Sequence, residues 1–265
     1  MHFNLNAYYS RLDHVTEWQN FYNDDENSFT YVSMTGLKKE YYGIEAGLKV
    51  KLASWLDFKT LGTISEAKNI NNAIANYMVS KSAKVYTDKA YVKDMRESGT
   101  PLTVGSIGLD MHTNGWYIDV AANYYDRIYL SYSPSYRYEQ VLLNRQSAHV
   151  KYPEIFPAVV SEDGNSFLPE AVAQAKGHGG WMVDLSIGKS VRLKKGSLNF
   201  NLMITNLLNN QSIVSGGYEQ NSRSGYTIDS STGEVNNPRI YQFSKNAKKY
   251  YVFGTNGMFQ VAYRF

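Results

Sequence analysis

The chain ends on Tyr250-Tyr251-Val252-Phe253-Gly254-Thr255-Asn256-Gly257-Met258-Phe259-Gln260-Val261-Ala262-Tyr263-Arg264-Phe265, and this stretch has the period of a strand. Counting back from the carboxylate, Phe265, Tyr263, Val261, Phe259 and Gly257 share one face, and Arg264, Ala262, Gln260, Met258 and Asn256 share the other. A ring with an apolar body and a polar tip gains from lying at lipid-headgroup level, so Tyr-Arg-Phe suits the end of a membrane-spanning strand. Taken alone, the strand fits a lipid-facing barrel and a half-buried soluble sheet alike.

Composition narrows the field. The 265 residues include 23 Tyr, 11 Phe and 4 Trp with only 6 Pro, a mixture that suits strands and long connections better than helices. No run of about 18 apolar residues occurs, so no transmembrane helix is expected. A mean hydropathy of −0.42 is compatible with a membrane barrel, whose signal lies in alternation and not in the average. The absence of Cys excludes a disulfide framework, a thiol nucleophile and Cys-ligated metal, and a net charge of +3 gives no basis for a nucleic-acid partner. Met1-His2-Phe3-Asn4-Leu5 lacks the basic and apolar regions of a secretory signal peptide.

Read in order, the chain opens in a strand, with Phe3, Leu5, Ala7 and Tyr9 alternating against Asn4, Asn6, Tyr8 and Ser10. Asp13 to about Thr35 is polar and reads as a long loop; its Asn23-Asp24-Asp25-Glu26-Asn27 lacks the spacing of a calcium loop and reads as solvated. Alternation returns at Tyr42–Leu52, reverses at Ala53-Ser54 and continues through Leu56, Phe58 and Ile64. A second long connection, about Glu66 to Thr100, includes a weakly helical stretch at Ala73–Val79. Ile107, Leu109 and Met111 form a faint strand, Asn114-Gly115 a hairpin turn, and Trp116, Ile118, Val120, Ala122 and Tyr124 the next strand. The longest connection, about Arg127 to Gly177, opens with the tyrosine run Tyr124 to Tyr138, which suits an interfacial girdle, with a ligand-lining role as the alternative. Two further strands, Trp181–Leu193 and Leu198–Ile204, flank the turn Lys194-Lys195-Gly196, and a fourth long connection leads to the terminal strand.

The turns near residues 53, 113 and 195 are short, and the connections between them run to tens of residues. Compact soluble domains keep connections short, whereas outer-membrane barrels have short periplasmic turns and long extracellular loops. Charged residues such as Glu45, Lys49, Asp57, Lys59, Asp110, Asp119, Asp184 and Arg264 fall opposite the apolar face, where a polar lumen accommodates them. The expected fold is all-β: an antiparallel transmembrane β-barrel segment of about eight strands.

Met34-Thr35-Gly36 followed by Tyr42-Gly43-Ile44-Glu45, Tyr124-Tyr125-Asp126-Arg127-Ile128-Tyr129, Ile204-Thr205-Asn206-Leu207-Leu208-Asn209 and the terminal strand together resemble the C-terminal part of a TonB-dependent outer-membrane receptor of the Bacteroidetes type. The resemblance implies residence in the outer membrane, in contact with its lipid. It also implies a plug domain and further barrel strands supplied by a missing N-terminal part, through which alone the TonB complex would be engaged. The implied role is barrel wall and capturing loops for a nutrient ligand, a metal chelate or a glycan. Two other readings stand beside it: a complete eight-stranded barrel with a structural or adhesion role, and a soluble β-domain that binds carbohydrate.

Chemistry is sparse. His2, His14, His112, His149 and His178 show no zinc-ligand spacing, and no nucleophile is paired with a base, so neither enzyme activity nor a cofactor or metal is expected. Gly177-His178-Gly179-Gly180 lacks the strand-to-helix context of a phosphate loop. The candidate ligand-binding residues are the loop aromatics Tyr129, Tyr132, Tyr136 and Tyr138.

Overall fold

The computed structural model describes residues 1–23, 27–82, 84–220, 225–240, 242 and 246–265. Strands account for 62% of it and helix for 8%, and the strand pairings of its sheets are antiparallel, so the all-β expectation holds. The elements are β1 (His2–Asn23), β2 (Ser28–Ala53), β3 (Leu56–Asn69), β4 (Ala73–Val79), β5 (Val85–Ala90), β6 (Pro101–Thr113), β7 (Trp116–Ile128), α1 (Glu139–Lys151), β8 (Gly180–Arg192), β9 (Ser197–Thr205), β10 (Val214–Glu219), β11 (Gly225–Ile228), β12 (Val235–Arg239), β13 (Ala247–Tyr251) and β14 (Asn256–Arg264).

β1, β2, β3, β6, β7, β8, β9 and β14 form a meander in which each strand pairs with the next. Among the described residues the sheet is open: β1 pairs only with β2 and β14 only with β9, and no sheet closes into a barrel. All three short turns lie at one end. Asn114 and Gly115 adopt φ of 48° and 75°, the pair of positive values that a two-residue hairpin matched to strand twist requires. At the opposite end Asn206 locks the exit of β9. Its amide donates to the carbonyls of Asn210 and Phe253 (2.9 Å each), and its backbone N–H donates to Asp184 Oδ1 (2.9 Å).

The long connections differ from the expected loops. Residues 13–23 and 28–35 are not a loop but the far halves of β1 and β2, which stay paired up to Asn23↔Ser28. Ala73–Val79 is strand β4, not helix, and takes the place beside β2 that β3 leaves, with β5 paired to it in turn. The alternation is hidden in the sequence by irregular register between Leu12, Val15 and Glu17 on β1, opposite Gly36 at φ 72° on β2. The connection after β7 contains α1, and the one after β9 contains the β10–β13 pair and the β11–β12 hairpin. Asp24, Asp25 and Glu26, the core of the acidic run, lie outside the described residues.

The registers join the apolar residues into one continuous face. Phe3 lies opposite Leu48, Ile44 opposite Ile64, Phe58 opposite Leu109, Leu109 opposite Val120, Val120 opposite Leu185, Ile187 opposite Leu202 and Leu202 opposite Phe259. Among the described residues none covers this face: Phe3 is 63%, Ile44 57%, Ile64 66% and Phe259 65% exposed. The opposite face carries a polar network, in which Lys59 pairs with Asp110 and lies 3.6 Å from Asp119, Ser106 bonds Asn123 (2.7 Å) and Asn123 bonds Asp184 (2.8 Å).

The buried apolar residues all lie beyond this zone, at the end away from the short turns. Val32, Met34, Leu37, Ala73, Ala75, Ala90, Val92 and Met95 pack with Tyr132 and Tyr138, and smaller clusters surround Leu130 and Leu142. On β2, Ser28, Thr30, Val32, Met34, Leu37 and Lys39 are buried on the face that continues as polar Tyr41, Gly43 and Glu45, while Tyr42 and Ile44 stand exposed on the other. The apolar face of one strand therefore changes sides along its length.

Candidate ligand site

The long connections fold together into a cap over the buried face of the strand extensions. Arg137 and Glu219, both fully buried, hold the cap together through two parallel bonds of 2.7 and 2.8 Å. The guanidinium also donates to the carbonyls of Ser133, Val172 and Ala173. The carboxylate accepts the backbone N–H groups of Ser133 (2.9 Å) and Ala175 (3.1 Å). A buried ion pair is tolerable only when its remaining donors and acceptors are met in this way. The pair ties the turn at Pro134–Arg137 and the segment before β8 to β10, across 82 residues of sequence. Nothing in the local sequence of either residue announces it.

Among the described residues, clefts open around the cap. Two adjoin, of about 250 and 740 Å³, and share Trp18, Gln19, Ser131 and Tyr132 as walls. In the smaller, the buried Lys39 ammonium pairs with Glu17 and, at 2.6 Å, with Glu97, which also accepts the Tyr41 hydroxyl at 2.9 Å. These two carboxylates raise the Lys39 pKa against the opposing effect of burial, so the lysine is charged and neutralised locally. Another cleft, of about 880 Å³, lies between the segment Lys89–Arg96 and the segment Val160–Gln174.

Of the four tyrosines expected to meet ligand, Tyr129 and Tyr132 line the clefts described above, and Tyr136 and Tyr138 are buried. Tyr129 lines the cleft of about 880 Å³, its ring stacked 4.8 Å from the Arg96 guanidinium. Tyr132 lines both smaller clefts and its hydroxyl accepts Asn69 Nδ2 at 3.1 Å. Tyr136 is buried with Leu130, Ala175 and Val214, and Tyr138 is buried and stacked 4.6 Å from Tyr77. Burial pushes the Tyr132 and Tyr138 phenols up, so both stay neutral. The run Tyr124 to Tyr138 is thus not one girdle: Tyr124 sits on the apolar face beside Trp181 (5.1 Å), and the later tyrosines build the cap.

Lys89, Lys93 and Arg96 were not singled out by the sequence, since their meaning depends on the segments that fold against them. Among the described residues no group of His, Cys, Asp or Glu is placed to hold a metal ion. Compared with known proteins, the chain matches no family model, no curated protein and no solved structure.

Proposed function

We propose that the chain is wall and capturing cap of an outer-membrane β-barrel importer of the TonB-dependent type, with the short turns in the periplasm and the cap outside the cell. The observation that carries this reading is the change of apolar side along β2. Where the cap packs, the apolar residues of β2 face inward and are buried; beyond Tyr42 they face outward and are bare. A sheet with water on both sides gains nothing from a broad bare apolar face, whereas hydrocarbon beside a polar lumen favours it. Trp116 to Tyr124 on β7 matches the strand of about 9–11 residues that spans a bilayer at a tilt. Ion pairs such as Arg96–Glu66 (2.6 Å) and Lys68–Asp94 (3.3 Å) lie beyond that band, at the level of the cap. The importer assignment, including the plug and the further strands, extends the resemblance described above.

Trypsin tests the orientation, because both ends carry exposed lysines: Lys81 and Lys84 at the tip between β4 and β5, and Lys194 and Lys195 in the turn between β8 and β9. On intact cells that make the protein, cleavage is expected at Lys81 and Lys84 and not at Lys194 and Lys195, with the second pair cut only after the outer membrane is opened. Cutting at Lys194 and Lys195 in intact cells would overturn the reading.

A further inference from the structure

We infer that the cleft of about 880 Å³ binds an acidic saccharide, such as a short chain of uronate or sulfated sugar units. The inference rests on the receptor reading for its access to solutes outside the cell, and on the cleft itself for its chemistry. The volume lies within the range of about 300–1,000 Å³ usual for ligand sites.

Charge is distributed unevenly across the cleft. Along one wall stand Lys89, Lys93 and Arg96; the facing wall, with Asn165, Ser166 and Phe167, is neutral. Of the two acids in the lining, Asp94 pairs with Lys68 (3.3 Å), while Glu139 accepts the Tyr91 hydroxyl (2.7 Å) and keeps its charge, which leaves the three cations in excess by one. Arg96 is likewise paired, with Glu66. Among the described residues, neither Lys89 nor Lys93 has a carboxylate within ion-pair distance. The Lys89 ammonium lies 4.7 Å from the centre of the Tyr91 ring, a contact that restrains it before any ligand arrives. On the neutral wall the Asn165 side chain bonds the Asp163 carboxylate, and Phe167 packs edge-on against Tyr91 (4.6 Å). An elongated ligand with anionic groups along one edge and hydroxyls and an apolar ring face along the other meets both walls. A compact anionic metal chelate, charged all round, would place charge against the neutral wall, where nothing compensates its lost hydration.

The test uses the full protein, tagged at its own locus and extracted in mild detergent together with whatever chains accompany it. An oligouronate is expected to bind, and a neutral oligosaccharide of equal length to bind about a hundredfold more weakly, about tenfold per lysine. Lys89→Gln with Lys93→Gln should remove that preference, and Lys89→Arg with Lys93→Arg should retain it. An unaltered chymotryptic pattern controls for folding, since these substitutions neither add nor remove an aromatic cleavage site. Equal binding of the neutral sugar, equal competition by inorganic phosphate or by a ferric tris-catecholate, or full binding by the double Gln variant would overturn the site. Because extraction works wherever the protein resides, a protein that binds oligouronate but is cut at Lys194 and Lys195 in intact cells would keep this site and lose the receptor reading.

Discussion

Tyr138 carries a buried hydroxyl with no hydrogen-bond partner among the described residues, while its ring stacks on Tyr77, which stacks in turn on Tyr86 (5.4 Å). The ring earns its place by packing; the hydroxyl only loses water. Tyr138→Phe keeps the stack and removes the unmet group, so it is expected to stabilise the cap by about 1 kcal/mol. Thermal unfolding of the extracted protein measures this, and a loss of stability of similar size would mean that the hydroxyl has a partner. The sequence marked Tyr138 as a ligand candidate because tyrosine density alone cannot separate a ring that builds a core from a ring that lines a cleft. Tyr129 shows the limit from the other side. It does line a cleft, but the cations that give that cleft a character, Lys89, Lys93 and Arg96, arrive from a separate stretch of chain. Asn206 was legible as a strand end, and its side-chain bonds to Asn210 and Phe253 give the reason.

At the scale of the element, the near halves of the strands were readable because each keeps a strict two-residue period. The registers pair Leu202 with both Ile187 and Phe259, on the bare apolar face, and Asn201 with Gly188 and Gln260, on the polar one. These adjacent residues meet opposite solvents under the receptor reading. Leu202→Arg is therefore expected to cost about 2–4 kcal/mol and to abolish heat-modifiable migration, while Asn201→Arg is tolerated beside the polar network. Equal effects in a gel-shift assay of membrane assembly would remove the basis for two distinct faces. The far halves of β1 and β2 have the sequence of a loop for a physical reason. Irregular register near Val15 and Gly36 breaks the period, and the apolar residues then fall on the inner face, so Val32, Met34 and Leu37 belong to a different pattern from Tyr42, Ile44 and Leu48. A long polar stretch between strands can be more strand, and only the partner strand settles which.

Among the described residues the sheet has two open edges, and under the receptor reading their cost decides how the chain would sit in a membrane. In hydrocarbon every backbone N–H and C=O needs a partner, which restricts spanning structures to helices and closed barrels. Within the bilayer each edge, on β1 and on β14, would leave on the order of ten groups unmet, and at about 1–3 kcal/mol per group the two together reach tens of kcal/mol. That exceeds the roughly 5–15 kcal/mol by which a domain is usually stable, so both edges must be covered. Two arrangements do this. Either further strands stand beside β1 and β14, or the two edges meet in a small eight-stranded barrel. The importer reading requires the first; in the second, β14 (Asn256 to Arg264) would cover only the near half of β1 (His2 to Asn23) and leave the far half paired with β2 alone, at the level of the cap. The chain contains no cysteine, which makes the choice measurable. Asn4 and Asn6 on β1, and Met258, Gln260 and Ala262 on β14, all face the polar side of the sheet. Cysteines placed in pairs, one from each edge, are expected to form no disulfide within the chain in native membranes under oxidation. A disulfide between any such pair would bring β1 and β14 side by side, establish the eight-stranded barrel and remove the importer reading.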